Sequence, residues 1–163
     1  VLYMWTISQW REIQRVFQYH GAEHKSIFTL EDGAELTVAA ARGFGRLHPR
    51  CGTSFMLIVV LFAIAVFACV DSLFVVVFGH TQSLFERFAT HFSLLPFIAG
   101  ISFELLKISG KKRNHPLTRV LIAPGLWLQR ITTREPDDDQ LEVALVALRC
   151  VLGEEAKAVQ VID

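Results

Sequence analysis

The chain has 163 residues, 52% of them hydrophobic and only 20% charged, with Lys+Arg and Asp+Glu at 16 each. That length suits one domain, and the balanced charge offers no field for nucleic acid or an acidic substrate. The apolar composition excludes a disordered segment. Three scattered cysteines (Cys51, Cys69, Cys150) form no CxxC pair, which excludes a disulfide-stapled mini-protein, a thioredoxin site and a four-cysteine zinc ribbon.

The chain starts at Val1 inside an apolar stretch and reads as a fragment of something longer. Residues 1–10 suit the end of an earlier membrane span, with Trp5 and Trp10 at the interface. REIQRVFQYHGAEHK then predicts a helix, with Ile13, Val16, Phe17 and His20 recurring at helical spacing. SIFTLEDGAELT predicts a small β-hairpin or a tight turn at Asp32-Gly33. Thr37 is placed to cap a short helix VAAAR that Gly43 and Gly45 end.

From Cys51 to Val70 no residue is charged, a run of 20 that reaches about 30 Å as a helix, the thickness of a bilayer core. A second span is expected from Phe88 to Leu106, where Glu104, near one end, is the only charge and Pro96 and Gly100 are tolerable in lipid. The piece between them, DSLFVVVFGHTQSLFER, is too short to span and either extends the first helix or lies at the interface. Arg42, Arg46 and Arg50 precede the pair, and Lys107, Lys111, Lys112 and Arg113 follow it. Basic flanks stay cytoplasmic, so residues 51–106 read as a helical hairpin with its loop outside. Segments 11–50 and 107–163 are then cytoplasmic or interfacial. Within the latter, PDDDQLEVALVALRCVLGEE predicts an amphipathic helix: Asp137, Asp138 and Asp139 at its N-terminal end, and Leu141, Ala144, Leu145, Leu148 and Leu152 on one stripe. The expected class is mainly α, an integral membrane protein with the lipid bilayer as its first partner and no role for nucleic acid.

Three places carry chemistry. His20-Gly-Ala-Glu23-His24 is an H-x-x-E-H pattern, which on a helix presents two imidazoles to one metal ion, zinc by preference, and a glutamate as general base on metal-bound water. Two interfacial histidines and a solvated glutamate are the plainer reading. His48-Pro-Arg-Cys51 has ligand spacing, although Pro49 and Gly52 also suit an ordinary helix start. Glu104 is an acid inside a span, and either joins a cation as a ligand or pairs with Lys107, Arg46 or Arg50.

FQYHGAEHK, ELTV, RLHPRCGTSF, AGISFELL and APGLWLQRITTREPDDDQLEVAL, in that order, resemble the bacterial YqhQ-type membrane proteins. The resemblance covers roughly residues 17–150. It implies a multi-pass protein of the bacterial cytoplasmic (inner) membrane, in a family of unknown function to which metal-dependent catalysis is ascribed by inference. The metal site it implies falls on His20, Glu23 and His24, with His48, Cys51 and Glu104 in matching motifs. One departure is the lack of the family's N-terminal GGQAVIEGVMM-like motif. Three functions stay open: a membrane-embedded metal-dependent hydrolase, a structural zinc site on His20, His24, His48 and Cys51, and an accessory subunit of a larger membrane complex.

Overall fold

The structure, a computed structural model, describes residues 2–111 and 116–153. Lys112, Arg113 and the Glu154-Glu155 end of the expected C-terminal helix lie outside them. Among the described residues seven helices form: α1 (Leu2–Ile7), α2 (Arg11–Glu31), α3 (Val38–Arg42), α4 (Gly52–Phe78), α5 (Leu84–Lys111), α6 (Pro116–Thr132) and α7 (Asp138–Leu152). Among the described residues there is no strand. Of the two outcomes expected for SIFTLEDGAELT, the tight turn forms. Helix α2 continues to Glu31, because its ladder finds carbonyl partners as far as Asp32, and Gly33 then takes a left-handed φ of 69°.

The chain divides into two units. One takes the residues up to His48 and those from Leu126 onward; the other is Pro49–Gly125. In the first unit α2, α3 and α7 pack together around Ala22, Ala41, Leu141 and Leu145. Small residues set the spacing. Ala22 and Ala41 are fully buried, and the stretch around Arg134 crosses α2 so closely that a Cβ at Gly21 would lie 2.1 Å from the Arg134 carbonyl oxygen. Helix α3 has its expected start and stop, at Thr37 and Gly43. Thr37 accepts the Ala40 amide, and Asp137 with Gln140 closes a reciprocal capping box on α7. Leu141 and Leu145 of the expected stripe are buried, whereas Leu152 at its end is exposed. The aspartates do more than complement the helix end, since Asp138 takes the Arg42 guanidinium of α3 through Nε (2.6 Å) and a close second contact. That hydrogen bond holds the Asp138 carboxyl below its ordinary range and raises the Arg42 guanidinium.

The second unit is the apolar hairpin of α4 and α5. DSLFVVVF extends α4 to 27 residues, and Gly79, at a left-handed φ of 72°, stops it. Ser83 and Glu86 cap the start of α5, which therefore begins four residues before the expected Phe88. Gly52–Phe78 and Leu84–Ile108 are both long and apolar enough to cross a membrane. Only 6% of the most apolar stretch of α4 is buried, which is the reverse of a soluble core helix. Side chains that cannot be solvated in lipid are paired within the hairpin: Asp71 takes His91 Nε2 at 2.9 Å and an Arg87 nitrogen at 3.1 Å. Close approach recurs here too, as a Cβ at Gly125 of α6 would meet Ser54 Oγ of α4 at 2.5 Å.

Candidate metal centre

Helix α2 carries a continuous face at positions 17, 20, 24, 28 and 31, spaced by three and four residues. His20 and His24 stand on it one turn apart, with ring centroids 4.4 Å apart and their candidate ligand nitrogens within 4.8 Å of each other. His20 is half-buried and His24 buried. His20 Nδ1 lies 2.8 Å from the Thr132 carbonyl oxygen, and His24 Nδ1 lies 2.6 Å from that of Arg46. A carbonyl oxygen only accepts, so each Nδ1 carries hydrogen and donates it. In the neutral ring the lone pair is then on Nε2. A second-sphere carbonyl that fixes the tautomer is the usual support of a metal-ligating imidazole.

His48 joins the same face from the other side of the unit. It is buried, its ring centroid is 5.7 Å from that of His24 and 4.4 Å from Phe28, and its Nε2 is 3.2 Å from Glu31 Oε1. Gln129, fully buried, clamps its main chain: the His48 amide donates to Oε1 (2.7 Å), and Nε2 donates to the His48 carbonyl (2.8 Å). The segment after α6 is laced down in the same way. Arg46 donates to Thr133 Oγ1 (2.8 Å) and closely to its carbonyl, and the Arg134 amide donates to the Phe17 carbonyl (2.8 Å). The buried Lys25 ammonium pairs with Glu135 and reaches the Arg42 carbonyl at 3.2 Å.

Three expected residues remain, each described within its own unit. Glu23 is exposed on α2. Cys51 belongs to the second unit, where it is buried at the N-cap of α4 with Sγ 3.2 Å from Thr53 Oγ1. Glu104 also belongs to that unit; it is 58% exposed and pairs with Lys107 at 3.5 Å. Glu31, Gln129, Lys25 and Glu135 were not singled out by sequence. Glu31 had a signal, since it continues the spacing of His20, His24 and Phe28. Gln129 had a weaker one, as the lone uncharged polar residue in the run LWLQ.

Over residues 1–154 the chain matches the family described as Protein of unknown function (DUF1385). It belongs to that family. Among curated relatives, DUF1385 residues here are 40% identical over 158 positions to the Uncharacterized protein YqhQ of Bacillus subtilis (strain 168). The match takes in 97% of this chain and 47% of that protein, so the chain spans about half the length of the relative. No solved structure matches it.

Proposed function

We propose that this protein is the metal-holding part of a membrane-embedded, metal-dependent hydrolase of the bacterial cytoplasmic membrane. One observation carries the reading: two imidazoles one turn apart on one helix face, each with its Nδ1 hydrogen committed to a main-chain carbonyl. His20 and His24 would hold the ion, with zinc the first candidate for an imidazole pair. A bound ion of this kind supplies a water activated at neutral pH. The chain's own contribution is to fix tautomer and orientation. Glu31 paired with His48 gives a carboxylate–imidazole couple suited to moving a proton. Glu23, exposed, is the alternative base inherited from the H-x-x-E-H pattern.

A structural zinc is the second reading, and the exposure of Glu23 favours it. An ion on His20 and His24 would tie α2 to the Arg46 and Thr132 segments whose carbonyls hold the rings. His48-x-x-Cys51 spacing in the chain then supplies candidates to close the tetrahedron. Elemental analysis of the purified protein in detergent tests both readings: His20→Ala or His24→Ala should remove the ion, and Glu23→Gln should retain it. Absence of any ion in the unaltered protein refutes both and leaves the accessory-subunit reading. X-ray absorption at the metal edge separates them. A sulfur ligand lost in Cys51→Ser indicates a closed structural site, and a nitrogen/oxygen shell with bound water indicates catalysis.

The membrane part of the proposal rests on the two apolar helices and on the basic flanks Arg42, Arg46, Arg50 and Lys107. A cysteine placed near Gly79 should be labelled from outside intact cells, and one near Gly33 should not. The opposite pattern refutes the orientation.

A further inference from the structure

The first unit holds a cavity of about 620 Å³, within the size range of small-molecule sites. Its charge is lopsided. Arg11, Arg46, Arg130 and Arg134 line it, and Glu135 is the only carboxylate in the lining. That carboxylate is already engaged, one oxygen by the Lys25 ammonium and the other by Arg46 at 3.9 Å. Arg11 and Arg130 make no hydrogen bond or ion pair among the described residues, and both are exposed. Arg134 donates one terminal nitrogen to the Ser8 carbonyl (3.0 Å), while its Nε is buried with no hydrogen-bond partner.

Like charges gathered around a concavity, with a buried donor unsatisfied, cost free energy unless an anion completes them. The guanidinium fork fits the oxygens of a phosphoryl group two at a time, and a doubly charged phosphate answers several guanidiniums at once, which a single carboxylate does not. We propose that this cavity is a binding site for a phosphate-bearing ligand, with Arg11, Arg130 and Arg134 as its recognition groups. The ligand is either a soluble phosphomonoester or the headgroup of an anionic phospholipid. The site goes beyond the metal proposal and does not rest on it.

The test uses the full chain in nanodiscs of phosphatidylcholine, treated with chelator so that the outcome is independent of any metal. Titration with inorganic phosphate and with glycerol 3-phosphate should give saturable binding that the double variant Arg11→Gln/Arg130→Gln weakens by about tenfold or more. Arg15→Gln removes one positive charge from the helix that carries Arg11, outside the cavity lining, and should change affinity by less than roughly twofold. If the soluble esters do not bind, native mass spectrometry after exchange into phosphatidylglycerol should show that lipid retained in preference to phosphatidylcholine, and lost in the double variant. Hydrogen exchange on the unaltered protein needs no variant: the bound ester or lipid should protect amides 130–135. Binding of neither ligand, equal loss in Arg15→Gln, or no protection of those amides overturns the proposal.

Discussion

Gly21 gives a prediction whose sign separates local propensity from packing. Within an α-helix, glycine to alanine gains about 1 kcal/mol, so propensity alone says that Gly21→Ala stabilises α2. The structure says the opposite. The new Cβ would lie 2.1 Å from the Arg134 carbonyl oxygen, which is backbone and cannot swing aside, and real Cβ atoms keep at least 3.0 Å. The crossing segment must retreat by about 0.9 Å or more. The Arg134 amide to Phe17 carbonyl bond, 2.8 Å long, then stretches beyond hydrogen-bonding range. Losing one buried main-chain bond costs about 1–3 kcal/mol. The Thr132 carbonyl that holds His20 is on the same segment, and its loss adds a similar amount. Net of the helix gain, Gly21→Ala should destabilise by about 1–5 kcal/mol, lowering Tm by roughly 3–15 °C. Tryptophan fluorescence of the purified protein in detergent reads the transition, and metal analysis in parallel should show weakened binding as His20 loses its carbonyl. A variant as stable as the parent, or more so, refutes the close crossing.

Gln129→Leu keeps the volume but strips two buried main-chain groups of His48 of their partners, and should cost about 2–5 kcal/mol in the same unfolding assay; a loss below about 0.5 kcal/mol refutes the clamp. The Arg42–Asp138 pair predicts an acid-side dependence. Because the folded state lowers the Asp138 carboxyl, its contribution is present above the ordinary aspartate value of 3.8 and fades as pH falls below that toward the lowered value. Asp138→Asn should therefore flatten stability against pH in that window, and an unchanged slope excludes the pair as its source. Lys25→Met removes a buried ammonium while Glu135 remains exposed to solvent. It should be nearly neutral or mildly stabilising, because a solvated carboxylate tolerates the loss and methionine fills the stem's volume; a loss beyond about 3 kcal/mol refutes that view of Lys25.

Much of the fold was legible in order along the chain. A run of 20 uncharged residues determines a helix that lipid can accept, because no water is needed to satisfy its backbone. Thr37 and Asp137 begin helices by chemistry that acts within a few residues. Spacing of four also placed His20 and His24 side by side. What the sequence left open depends on partners distant along the chain. The length of α2 was one such matter: DG marks a turn equally well after a strand or a helix, and packing against α7 decided it. The tautomers of the two histidines were another, since the carbonyls that fix them are 22 and 112 residues away. The Gln129 clamp, the Lys25–Glu135 pair and the arginine-lined cavity all join α2 or the turn after α3 to the segment around residues 129–135. Local propensity carries no information about such meetings. They are set when apolar and small residues bring two stretches of backbone close enough that each buried polar group must be answered by the other.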